Sequence, residues 1–358
     1  MRILIATGLY PPEIGGPATY AKLFEEWLPR YGIKVSVLPF RTVRHLPPII
    51  RHIVYGWKVF KMARGADRIL VQDSVSTGLP VAIASFFSGK QFIIRVPGDY
   101  AWEQGTQRFG VKESIDDFQT RSYGLTVAIL RAIQKFVVRR ARLVIAPSQY
   151  LARIVGGWVP NKKIDVIYNG VDVPTRTLSR ARELDLIVTS GRLVPWKGFG
   201  ELIEIVGRKP EWRLVILGDG PQKNELKEQI QQTGTADRIT LLGQVSHEEA
   251  LAWYARATVF VLNSRYEGLS HTLVEAMATG APIIATKAGG NVEVVTGGGI
   301  GGILVDVDDK KNLEQQLEYL MQNENLRTQL GDVAWSRANS FSIEACVLKT
   351  VELIKQSV

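Results

Sequence analysis

Residues 186–222 read LIVTSGRLVPWKGFGELIEIVGRKPEWRLVILGDGPQ. A β-branched apolar run, Leu186–Thr189, is followed by Gly191 and then by a helical pattern. A second such run, Arg213–Leu217, ends in Gly218-Asp219-Gly220-Pro221. Short runs that are apolar on both faces suit strands buried between helical layers, and a helix joining two of them makes a parallel crossover. The same alternation extends outward in both directions. Strands are expected at Arg238–Leu242, Thr258–Leu262, Pro282–Ala285 and Gly302–Val305 on one side. On the other they are expected at Arg2–Ala6, Lys34–Leu38, Arg68–Val71, Gln91–Val96, Arg142–Ala146 and Lys163–Ile167. Two such series predict an α/β protein of two doubly wound parallel-sheet domains, 1–170 and 171–339, with the polar stretch Asn169–Leu184 at the boundary. Helical patterns follow over Asp309–Arg337 and Ile343–Lys355, and 340–358 is expected to cross back to the first domain. Domains of this kind bind ligands at the carboxyl ends of their strands, so two of them facing across a cleft would line it with loops from both.

Composition narrows the partners. With 46% hydrophobic and 22% charged residues in 358, the chain is globular rather than disordered. One cysteine, Cys346, rules out a disulfide within the chain and fits a cytoplasmic setting. The opening MRILIATGLYPPE reads as a buried strand, not a signal peptide. The longest apolar run, Leu79–Phe87, is too short to span a bilayer and suits a buried helix. No short-period repeat is present. Residues 1–183 hold 27 Lys+Arg against 13 Asp+Glu, a charge of +14, and the remainder holds 17 against 22, or −5. The basic half suits an anionic partner: nucleic acid, an anionic membrane or a phosphorylated acceptor. No aromatic–basic recognition motif supports nucleic acid. In the basic stretch Arg41–Arg64, Arg44, Arg51, Lys58 and Lys61 interleave with Ile49, Ile50, Ile53, Val54, Trp57 and Phe60; Arg121–Arg142 is similarly basic. Such a pattern fits an interfacial helix at the inner face of a membrane, and equally an amphipathic helix packed on a sheet.

Four segments fall on loops that could carry chemistry. Gly15-Gly16 follows the first strand and precedes a helix at about Ala18–Leu28, where glycine lets backbone amides approach a phosphate. The G-x-G-x-x-G spacing of a dinucleotide site is missing. In Gly191–Gly198, Arg192 and Lys197 can reach a diphosphate, one as a planar fork and the other as a point charge. In Glu267–Gly280, Ser270 is the expected N-cap of a helix running to about Thr279 with Gly280 stopping it. The amides of Leu269, Ser270, His271 and Thr272 would then face an anion, and Glu275 could accept two hydrogen bonds from a ribose diol. In Arg95–Glu103, Asp99 could accept from a sugar hydroxyl or cap a loop, and Trp102 is a candidate for the acceptor loop. Asp306, Asp308 and Asp309 read as an acidic turn before a helix at Lys310 rather than a metal site, and the histidines lack ligand spacing.

Glu267–Gly280, continued by Pro282-Ile-Ile-Ala-Thr and Gly289-Gly290-Asn-Val-Glu293, resembles the signature of the retaining family-four (group 1) glycosyltransferases. GRLVPWKG, Gly218-Asp219-Gly220-Pro221 and the early glycine pair match the same family in the same order. The resemblance implies the GT-B fold of two Rossmann-like domains and transfer from a nucleoside-diphosphate sugar, with retention and without a metal or other cofactor. It implies that Gly16 meets the donor phosphate, that Arg192 and Lys197 clamp the diphosphate, that Glu275 holds the ribose and that Glu267 lies beside the donor sugar. Gly218, Gly220 and Val245 would approach the nucleotide base. Asp99 stands about where the family often has a histidine; with Glu267, Lys197 and Arg192 it completes the expected catalytic set. His45, His52 and His247 are not placed to replace that histidine, whereas His271 could reach the donor. The acceptor, lipid-linked or a saccharide of an envelope polysaccharide, is expected on the first domain near Gly98–Ser122. Competing readings are a GT-B-fold sugar-nucleotide epimerase, indifferent to any acceptor, and a catalytically silent nucleotide-sugar binding protein.

Overall fold

The computed structural model describes residues 1–13, 15–173 and 182–356. The chain divides into two compact units, Met1–Asn169 with Glu344–Val358, and Gly170–Ile343. Unit 1 holds six strands: β1 (Arg2–Thr7), β2 (Lys34–Pro39), β3 (Arg68–Val71), β4 (Phe92–Arg95), β5 (Leu143–Ala146) and β6 (Asp165–Val166). They are parallel throughout, in the order β2-β1-β3-β4-β5-β6. Unit 2 holds β7 (Leu186–Ser190), β8 (Arg213–Leu217), β9 (Ile239–Gly243), β10 (Val259–Leu262), β11 (Ile283–Thr286) and β12 (Ile303–Val305). These too are all parallel, in the order β12-β11-β10-β7-β8-β9. Every expected strand is present; the central ones are β-branched runs buried on both faces, and β3, β4, β7 and β10 expose almost nothing, while the edge strands β2, β6 and β9 are only partly covered. The polar segment expected between the domains lies in part, at 174–181, outside the described residues. Just beyond it, Arg182 donates to the carbonyl oxygens of Ala257 (3.0 Å) and Gly280, which ties the entry to unit 2.

Three expectations needed correcting. The single helical pattern over Asp309–Arg337 is two helices, Lys310–Gln322 and Glu324–Ala338, because Asn323 leaves helical geometry and its Oδ1 accepts from the Leu326 amide at 3.1 Å, capping the second. The expected strand Lys163–Ile167 shrinks to two residues. The helix expected to be buried at Leu79–Phe87 runs Gly78–Ser88, and it buries Pro80, Val81, Ala82 and Ala84 while leaving Phe86 69% and Phe87 71% exposed. The last helix, Ile343–Gln356, belongs to unit 1: Val347, Val351 and Ile354 are buried, and Thr350 Oγ1 lies 3.5 Å from Tyr20 Oη. Among the described residues no helix is long and apolar enough to cross a membrane.

Candidate functional site

In unit 2 the strand order reverses between β7 and β10: β8 and β9 lie to one side, β11 and β12 to the other. Loops leaving these two neighbouring strands diverge, and the crevice they leave at the carboxyl ends is where open α/β sheets hold ligands. The two most distinctive sequence segments leave those two strands.

After β7 the chain passes Gly191 (φ +152°), makes one 3-10 turn over Pro195–Lys197 and enters helix Phe199–Gly207 through Gly198 (φ +66°). A Cβ on Gly198 would stand 2.3 Å from the Asn263 carbonyl oxygen, so glycine is what lets this loop lie against the exit of β10. The Arg265 amide donates to the Trp196 carbonyl oxygen at 2.7 Å, and Asn263 Nδ2 to Glu201 Oε2 at 2.8 Å. Held this way, Lys197 Nζ is 2.5 Å from Glu267 Oε1, with both side chains largely buried. Ser264 Oγ donates to the same carboxylate oxygen at 2.7 Å. The pair fixes an ammonium in a protected position, with hydrogen bonds offsetting its desolvation. Arg192 stands exposed on the same loop.

The exit of β8 closes onto this loop. The Leu193 amide donates to the Asp219 carbonyl oxygen at 3.0 Å, and a Cβ on Gly218 or Gly220 would meet the carbonyl oxygen of Gly191 (2.0 Å) or Leu193 (2.5 Å). Beyond β10, Ser270 caps helix His271–Ala278, its Oγ accepting from the Leu273 amide at 3.3 Å and lying 3.1 Å from Thr272 Oγ1. Leu269 is buried beside the cap. The positive end of that helix therefore points into the crevice region next to Glu267. Glu275, one turn in, is mostly buried; burial pushes its carboxyl up, and the His247 imidazole, Nδ1 3.6 Å from Oε1, pulls it back. His247 opens the helix after β9, close to half-buried Val245. Sequence reasoning considered His247 only as a replacement for the family histidine and set it aside, since nothing local to it marks the approach to Glu275.

Unit 1 has its own reversal, between β1 and β3. Gly15 (φ +150°) precedes helix Gly16–Trp27, and its carbonyl oxygen accepts from the Ala18 amide at 2.9 Å. Asp73, just past β3, was not singled out in the sequence. Its Oδ2 would touch a Cβ on Gly8 at 3.0 Å, and it accepts from Thr77 Oγ1 at 2.7 Å and from the Val75 amide. Burial pushes its carboxyl up despite those donors.

Asp99 takes the capping role. It is the N-cap of helix Tyr100–Arg108 and is buried; Oδ1 accepts from the Trp102 amide and Gln134 Nε2, each at 3.1 Å, and Oδ2 from Gln119 Nε2 at 2.9 Å. Those three donors occupy the carboxylate that the sequence reading offered to a sugar. Trp102 is likewise buried, its indole N–H donating to the Glu113 carbonyl oxygen at 3.0 Å. Glu103, beside Asp99 and Asp73, is pushed up to about 7 by burial and by those two carboxylates. Asp309 caps helix Lys310–Gln322, and Asp306 and Asp308 pair with Lys287 (2.9 Å) and Arg265 (2.5 Å). Among the described residues no group of His, Cys, Asp and Glu could hold a metal.

Comparison with known proteins covers both units. Residues 176–336 match the model for glycosyl transferases group 1, and residues 40–174 the model for glycosyltransferase family 4. The lipopolysaccharide core biosynthesis mannosyltransferase LpsB of Rhizobium meliloti is 34% identical over 198 residues, 49% of this chain and 54% of that protein. The N-acetylgalactosamine-N,N'-diacetylbacillosaminyl-diphospho-undecaprenol 4-alpha-N-acetylgalactosaminyltransferase of Campylobacter jejuni is 28% identical over 185 residues, 50% of each chain. The chain thus spans about half the length of these relatives. A crystal structure of Anabaena HepE in complex with UDP superposes with a TM-score of 0.75 at 21% identity, covering 99% of this chain and 100% of that one. Each unit is a six-stranded parallel sheet wound with helices, and together with that superposition this makes the protein a two-domain α/β protein of the GT-B fold.

Proposed function

We propose that the chain is a glycosyltransferase that moves a sugar from a nucleoside-diphosphate sugar to an acceptor, with retention and without a bound metal. The observation that carries this is the Lys197–Glu267 pair at the β7/β10 reversal, beside a capped helix N-terminus and Glu275. Lys197, Arg192 and the helix amides supply positive charge to a leaving diphosphate, the task a divalent cation would otherwise perform. Glu275 suits the ribose, and Glu267, oriented by Lys197 and Ser264, suits the face of the donor sugar where positive charge develops. With no free strong base among these groups, the departing phosphate takes the acceptor's proton in a front-side attack. The UDP in the HepE structure supports a nucleotide donor. The core-lipopolysaccharide and diphospho-undecaprenol names of the relatives support a saccharide or lipid-linked acceptor. Helix Pro48–Ala63, which leaves Ile49, Ile50, Ile53 and Trp57 exposed with no acidic residue in 41–64, supports peripheral contact with an anionic cytoplasmic membrane face.

The experiment is to find the donor by thermal stabilisation with UDP-, GDP- and ADP-sugars, then follow transfer by NMR in EDTA. Product with the donor's anomeric configuration, at an undiminished rate, is expected. An inverted anomer removes retention, and activity lost in EDTA and restored by Mg²⁺ or Mn²⁺ removes metal independence. Donor turnover indifferent to every acceptor would favour the epimerase.

A further inference from the structure

Unit 1 contains a cavity that sugar transfer leaves unused. It lies at the amino ends of β4 and β5, the opposite edge of the sheet from Gly15 and Asp73, and has a volume of about 430 Å³. Its walls bring together Lys90, Arg139, Arg140, Arg142 and Lys162 and include no Asp or Glu. Lys162 Nζ donates to the Ala141 carbonyl oxygen at 2.5 Å, and burial and Arg142 hold its pKa down. Asp67, whose charge is felt by Lys90, is paired with Arg2 instead. Five cations around one cavity repel one another, and an anion of two or more oxygens relieves that repulsion while accepting their hydrogen bonds.

The rim identifies the anion's source. Phe86 lines the cavity with the Arg140 guanidinium 5.7 Å from its ring centroid, and Phe86, Phe87 and Ile83 project from the same face of helix Gly78–Ser88. Gly56 of helix Pro48–Ala63 lies against Pro80, so the exposed Ile53 and Trp57 belong to the adjoining helix. Residues 41–64, 78–92 and 121–142 contain no acidic side chain. A soluble phosphate has no use for an apolar rim, whereas a phospholipid presents a phosphate and acyl chains together.

We propose that this cavity binds the phosphate headgroup of an anionic phospholipid while Phe86, Phe87 and Trp57 enter the bilayer interface. The inference rests on the membrane contact proposed above and adds a defined lipid site to it.

The test compares sedimentation with vesicles of phosphatidylcholine alone and of phosphatidylcholine with phosphatidylglycerol, at low and high salt. The wild type is set beside Arg139→Gln/Arg142→Gln and beside the charge-matched Arg108→Gln/Lys112→Gln, all three first shown to be folded by thermal melting. The cavity pair is expected to lose on the order of tenfold or more in affinity for the anionic vesicles, and the control pair much less. No wild-type binding to anionic vesicles at low salt overturns the membrane contact and the lipid site together. Equal loss in both pairs overturns the site alone and leaves a diffuse basic face. Thermal stabilisation by inorganic phosphate that needs Arg139 and Arg142, with vesicle binding that does not, overturns the lipid source in favour of a free anion.

Discussion

Lys197 and Glu267 form a largely buried ion pair in the proposed donor crevice, so removing either leaves its partner's charge unmatched there. Lys197→Ala is expected to lower turnover by roughly 10²–10³, the cost of one preorganised charge donor. Glu275→Ala should lower kcat/KM for the donor strongly while the fold persists. Steady-state kinetics beside thermal melting check both, and near-wild-type rates would remove the donor site from this crevice. Glu103 supplies a pH-dependent counterpart. Its carboxyl moves from 4.5 to about 7 on folding, so the folded state holds the proton more tightly than the unfolded chain. The stability this provides is fully present below 4.5 and is lost as pH rises through about 7. Glu103→Gln is therefore expected to melt like the wild type in acid and to be more stable by about 1–3 kcal/mol above neutrality. Equal urea midpoints across the range would show that the carboxyl is not buried among Asp99 and Asp73.

At the scale of elements, the crevice depends on loops packed closer than side chains permit. Gly290 has ordinary helical backbone angles (φ −70°), yet a Cβ there would lie 2.4 Å from the Gly268 carbonyl oxygen. Gly157, in helix Gln149–Trp158, has nothing within 4 Å of such a Cβ. Gly290→Ala should cost about 1–3 kcal/mol and weaken donor binding, because the Gly290 amide also holds the Glu267 carbonyl oxygen at 3.0 Å. Gly157→Ala should instead stabilise by about 0.5–1 kcal/mol. Chemical denaturation of the two variants, opposite in sign, checks the packing of the loops.

At the scale of the molecule, the chain leaves unit 1 after Asn169 and returns to it from Glu344, so unit 1 is completed only when the last helix has docked. Ile354 is fully buried there. Ile354→Ala is expected to destabilise unit 1 by about 2–5 kcal/mol, and differential scanning calorimetry should show that loss in the transition that hydrogen exchange assigns to unit 1. A loss confined to unit 2 would contradict the docking.

The sequence by itself determined the twelve strands, their parallel winding, the loops that carry Lys197 and Glu267, and the capped helix after Ser270 that carries Glu275. Those features are written in local patterns: β-branched runs a few residues long, a cap residue at a helix start, glycines where the backbone turns. Only the tertiary structure decided what depends on residues far apart in the chain. It assigned Asp99 to Gln119, Gln134 and the Trp102 amide, and it set His247 beside Glu275. It brought Asp73 close to Gly8. It turned Phe86 and Phe87 outward from a run whose composition reads as core, and it drew Lys90, Arg139, Arg140, Arg142 and Lys162 around one cavity. Periodicity shows that a helix has a buried face. Which neighbours cover that face, and which charges it faces, depends on the packing of segments that local sequence does not connect.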